Sequence, residues 1–224
     1  MLSLPLATGR IPGSGSLQSL LGSRASSGPD TLALAVSAQG DASAKRSATP
    51  EGGSGREQGI YRITPERRAL LNTIRYAEGT WTAGRPDGYR MIYGGSLVND
   101  LERHPEITVH STYLSAAAGA YQFLPGTWQE AARSLGLRDF QPRSQDQAAL
   151  YLVEKRGALA RFDRHGLCPE VLARLAPEWA SLPSRSGGSY YGQPVHGAEK
   201  LLRFYQAELA RLRGSQPPAP PQQA

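Results

Sequence analysis

Between residues 59 and 214 the apolar positions recur three and four apart often enough to predict helices, and outside that span no period is sustained. Thr64 followed by Pro65 is the pattern of an N-cap and a first helical residue. Leu70, Leu71, Ile74 and Ala77 then continue as one apolar stripe up to Gly79. A second helix is expected to open at the capping box Thr127-Trp-Gln-Glu130, to turn Trp128, Ala131, Ala132 and Leu135 inward, and to stop at Gly136. A third opens on the similar box Ser144-Gln-Asp-Gln147 and runs through Ala148, Tyr151 and Leu152 to Gly157. Residues 169–176 and 198–213 complete the helical set, the last with Leu201, Tyr205, Leu209 and Leu212 on one face.

One stretch breaks the helical rhythm. Residues 89–93 (YRMIY) are aromatic and β-branched and are followed by Gly94-Gly95; with residues 107–110 they predict a small sheet of two or three strands. Helices around a small β subdomain make an α+β fold, and the junction of the two lobes is where a cleft forms.

Composition divides the chain into three parts. Residues 1–58 are rich in Ser, Gly and Ala with few aromatics, too little apolar area to offset chain entropy, so they read as a low-complexity, disordered extension. Within them residues 31–38 (TLALAVSA) resemble a signal-peptide core, short and far from Met1, so export is left open. Residues 215–224 are a Pro/Gln-rich tail, and residues 59–214 form one domain. The net charge of +6 and pI near 9.7 point to an anionic partner, and the basic excess lies in the domain rather than the tails. There is no Lys/Arg stripe interleaved with aromatics, so no nucleic acid is expected as a partner. No apolar run reaches the ~20 residues of a membrane span. Cys168 is the only cysteine, so no intramolecular disulfide forms, and beside Pro169 it reads as a small buried residue. His104, His110, His165 and His196 lack metal-ligand spacing, and no Gly-x-Ser-x-Gly turn is present.

Glu78 is the residue that carries chemistry. It lies four after Ile74 and seven after Leu71, on the apolar face of the first helix and in its last turn. Burial and the negative end of the helix dipole both favour the protonated carboxyl, which is the form that protonates a leaving oxygen in a glycosidase. The competing reading has Glu78 leaning into water or pairing with Arg75 or Arg85. A second signal is residues 115–128 (SAAAGAYQFLPGTW). Gly119 allows close backbone approach, Tyr121 offers a stacking face and Gln122 an amide, a mixture suited to a sugar chain. Phe123, Leu124 and Trp128 read as core.

On these residues the chain resembles the lambda-type phage endolysins, a family of peptidoglycan lytic transglycosylases with a lysozyme-like fold. The stretches that carry the resemblance are Tyr76-Ala-Glu-Gly-Thr80, Asp87-Gly-Tyr89, Gly94-Gly95, His104-Pro105, Ala118-Gly-Ala-Tyr-Gln122, Ser144-Gln-Asp146, Arg156-Gly-Ala-Leu159, Phe162-Asp-Arg164, Trp179-Ala-Ser-Leu-Pro183 and Tyr191-Gly-Gln193, in the family's order across residues 62–210. The resemblance implies that Glu78 is the catalytic acid/base, and that the bond cut joins N-acetylmuramic acid to N-acetylglucosamine with a 1,6-anhydro product. It implies bacterial peptidoglycan strands as the partner, a monomer acting in the cell envelope, and neither metal nor organic cofactor. Loops at residues 86–105 and 183–194 would form the cleft lips, with Tyr89, Tyr190, Tyr191 and Gln193 along the sugar path. The segment from Thr80 to Tyr89 is shorter, and that from Ser184 to Tyr190 longer, than the family pattern. Two alternatives stay open: a hydrolytic lysozyme in which Asp87 joins Glu78, against Asp87 as a plain turn residue, and a glycan-binding module without catalysis.

Overall fold

The computed structural model describes residues 59–111, 114–191 and 195–215. The extension 1–58, the tail beyond Ser215 and residues 192–194 lie outside the described residues. Helix α1, Pro65–Ala77, starts as its sequence predicts: Thr64 caps it by accepting from the Arg67 N–H at 3.3 Å, and Pro65 occupies the first turn. Its stripe of Leu70, Leu71, Ile74 and Ala77 is fully buried, each large side chain contributing roughly 1.5–3 kcal/mol. α1 is the central helix. It packs along α6 (Ala198–Gly214) and touches α3 (Pro142–Lys155). A buried polar contact fixes the α1–α6 register: Asn72 Nδ2 donates to Glu208 Oε1 at 2.7 Å, and Arg211 donates to both oxygens of Glu208.

Helix α2, Pro125–Leu135, and α3 begin three residues earlier than their capping boxes suggest. The prolines explain both cases. Pro125 and Pro142 have no N–H to lose and a φ already suited to a first turn, so they start the helices without a side-chain cap. Ser144 instead donates to Asp139 Oδ1 at 2.6 Å. Gly136, left-handed at φ +65, ends α2 where expected. A short α4, Leu159–His165, falls between Gly157 and Gly166. It is too brief to display an apolar period and was not anticipated. α5 covers Pro169–Leu175.

The β subdomain is real, but its strands differ from the expected ones. β1 (Val109–His110) pairs antiparallel with β2 (Leu114–Ser115), Val109 opposite Ser115. Residues 89–93 do not form a strand. Tyr89 closes into a 3-10 turn, Pro86–Arg90, and Met91 and Ile92 make isolated bridges to Leu97 and Ala118. The cause is crowding against the end of α1: a Cβ on Gly88 would sit 2.1 Å from the Thr80 carbonyl oxygen, and Pro86 fixes the turn's entry. Among the described residues no helix is long and apolar enough to cross a membrane.

Candidate active site

Three segments meet at the C-terminal end of α1. The first is the helix end itself. Glu78 is its cap residue, still bonding its N–H to the Ile74 carbonyl at 2.9 Å, and Gly79 at φ +74 then turns the chain away. The second is the turn at residues 118–123, tied to the helix end because Thr80 Oγ1 donates to the Ala120 carbonyl at 2.5 Å. The third is the segment after α5, where Trp179 Nε1 donates to the Tyr121 carbonyl at 3.1 Å and Ser181 Oγ donates to Glu78 Oε1 at 2.6 Å. His196 braces this corner from behind. Its backbone N–H donates to the Ser181 carbonyl at 3.3 Å, and its ring stacks on Tyr76 at 5.5 Å.

The Glu78 carboxyl is buried, with Oε1 held by Ser181 and Oε2 without a partner among the described residues. Burial pushes its pKa from the ordinary 4.5 up to about 7, against the opposing pull of the Ser181 hydroxyl and backbone N–H. It pairs with neither arginine. The Arg75 guanidinium lies between the rings of Trp81 and Tyr89, at 5.0 and 4.4 Å, and donates to Asn72 and to the Arg85 carbonyl. Arg85 pairs with Asp87 at 3.4 Å. Glu78 therefore keeps a large share of its carboxyl protonated near pH 7, with Oε1 held by Ser181 and Oε2 unpartnered among the described residues.

The other expected site residues separate into two groups. Tyr121 is completely buried, and its hydroxyl, like that of Tyr89, donates to Asp146 Oδ1, at 2.5 and 2.8 Å. Both rings, expected along the sugar path, are packed into the hydrophobic core. Gly119 is likewise structural: at φ +79 its missing Cβ leaves room for the Gln145 amide, which would lie 2.3 Å away. Gln122 is buried too, at φ +48, with its side-chain N–H groups spent on the Gly119 and Met91 carbonyls. Tyr190 is different. It is 55 % exposed, edge-on to Tyr191, at the end of a tight hairpin in which Pro183 bridges Ser189 and Ser184 N–H bonds to Gly188. Tyr191 is half-buried and donates its hydroxyl to the Pro177 carbonyl. Gln193 lies outside the described residues.

Two residues that contact the candidate site escaped the spacing arguments. Ser181 is 103 positions from Glu78, beyond any helical or strand period; only its place in the Trp179–Pro183 stretch signalled it. Asp146 on α3 takes both tyrosine hydroxyls and pairs with Arg68 at 2.7 Å, so it organises the wall of the site without entering it. Among the described residues no three His, Cys, Asp or Glu side chains come together to hold a metal ion.

A mostly helical α+β fold with a buried, raised-pKa glutamate at the end of its central helix is lysozyme-like. Comparison with known proteins agrees. The Endolysin family profile matches residues 68–212. The Endolysin of Escherichia phage lambda is 39% identical over 159 residues, covering 69% of this chain and 98% of the relative, and that of Escherichia phage P2 is 33% identical over 153 residues, covering 61% and 88%. Among solved structures, bacteriophage lambda lysozyme complexed with a chitohexasaccharide is similar at a TM-score of 0.59 and 36% identity, covering 66% of this chain and 97% of that one. A second structure of lysozyme from bacteriophage lambda gives 0.54 and 31%, covering 69% and 96%. The chain belongs to the endolysin family, in its lambda type.

Proposed function

We propose that this protein is a peptidoglycan-cleaving glycosidase that works as a lytic transglycosylase, with Glu78 as its one acid/base. The observation that carries this reading is the isolation of a buried Glu78 whose pKa is raised to about 7. In its neutral form Glu78 donates a proton to the oxygen linking N-acetylmuramic acid to N-acetylglucosamine as the C1–O bond breaks. As a carboxylate it then takes the proton of the muramic C6 hydroxyl while that oxygen closes on C1, leaving a 1,6-anhydro ring. A retaining hydrolase needs a second carboxyl ~5 Å from the first, and an inverting one needs it further off to hold water. Asp87, the sequence candidate for that partner, is committed to Arg85 at the head of the 3-10 turn. The glycan substrate is supported by the chitohexasaccharide held by the related lambda lysozyme, and Tyr190 offers the exposed aromatic surface such a strand uses.

Two substitutions test the assignment, read as lysis of purified sacculi. Glu78→Gln keeps the Ser181 contact but removes the proton donor, and activity is expected to fall by roughly 10²–10⁴-fold. Asp87→Asn is expected to stay within about twofold of wild type, the usual range of a surface turn substitution. An Asp87→Asn protein as inactive as Glu78→Gln would point to the hydrolytic pair instead.

A further inference from the structure

The two oxygens of Glu78 are not equivalent. Oε1 accepts from the Ser181 hydroxyl at 2.6 Å, while Oε2 is buried without a partner among the described residues. A donor on Oε1 makes that oxygen the poorer site for the acidic proton and leaves Oε2 as the better one. We infer that Ser181 is a positioning residue that confines the catalytic proton of Glu78 to Oε2, making the residue a one-sided acid.

This deepens the proposed role of Glu78 and rests on it. In the first step the Oε2–H proton passes to the bridging oxygen, which keeps the electron pair of the broken C1–O bond. In the second, Oε2 takes back the proton from the C6 hydroxyl, whose oxygen uses its own electron pair to bond C1. One oxygen gives and receives, and the carboxyl need not rotate between steps. Ser181 is suited to the task because it is itself fixed: it is buried, its carbonyl accepts from His196, and the neighbouring Leu182 N–H bonds back to Trp179 at 2.9 Å. Trp179 in turn is locked to the Tyr121 carbonyl.

The test uses the whole chain with Ser181→Ala, Ser181→Thr and Glu78→Gln, assayed on sacculi for kcat and KM across pH, with Tm recorded for each. Removing the hydroxyl takes a donor from the charged form. The alkaline limb of the kcat profile should therefore move up by roughly half a unit or more in Ser181→Ala. kcat at the optimum should fall about tenfold, with KM changed less than about twofold. Ser181→Thr, which restores a hydroxyl, should return the limb toward wild type. A Ser181→Ala protein with the wild-type limb and kcat overturns the inference, as does one whose only change is a lower Tm. An active Glu78→Gln protein would instead overturn the assignment of Glu78, so the two failures are distinguishable.

Discussion

Glu78 sits where two opposing influences meet: removal from water favours its neutral form, and the Ser181 donors favour its charged form. Burial wins, and that has a consequence for stability. Above about pH 4.5 the unfolded chain ionises this group while the folded protein still holds its proton, so stability falls as pH rises until the folded group ionises near 7. Glu78→Gln removes that penalty while keeping an acceptor for Ser181. The variant should be more stable than wild type at pH 8 by roughly 3 kcal/mol, and the gain should vanish below about pH 4.5. Urea denaturation at the two pH values measures it; a variant equally stable or less stable at pH 8 would mean the carboxyl is not strained in the native state. Residue-scale reasoning on sequence located this glutamate because helical spacing puts positions 71, 74 and 78 on one face. It did not foresee the burial of Tyr89, Tyr121 and Gln122, since a buried hydroxyl or amide and a ligand-facing one look alike until the partner is seen. For both tyrosines the partner is Asp146, from a helix far along the chain.

At the scale of elements, the site is held by a frame around the start of α3. Gln145 donates to the Tyr89 and Phe140 carbonyls and accepts from the Ala120 N–H, while Asp146 takes the two tyrosine hydroxyls and the Arg68 ion pair. Adjacent residues of one helix thus bind both the segment that follows Glu78 and the turn that faces it. Asp146→Ala leaves Arg68 and two buried hydroxyls without their acceptor and should cost roughly 3–5 kcal/mol. Chemical denaturation checks this, and a loss under about 1 kcal/mol would show that the frame is dispensable. Helices α1, α5 and α6 were legible from caps, prolines and apolar period. The starts of α2 and α3 were obscured because a proline can open a helix without the side-chain cap that their capping boxes suggested. The β subdomain was legible only in part: β1 lies within its predicted segment, but Gly88 and Pro86 fold its expected partner into a turn.

For the whole molecule, the architecture brings the ends of several segments to one corner, where the buried Glu78 carboxyl lies. The lysozyme-like fold and the endolysin family follow from the entire domain, because ordered short stretches spread over residues 62–210 carry it, and no single stretch would have been enough. The chemistry that one carboxyl permits is narrower than that of a pair: under the proposed function the sugar's own C6 oxygen, in place of an activated water, completes the reaction. Mass spectrometry of the muropeptides released from purified sacculi tests this most directly. The account predicts 1,6-anhydromuramic ends, lighter by one water than the hydrolytic product; reducing muramic ends as the main product would contradict it.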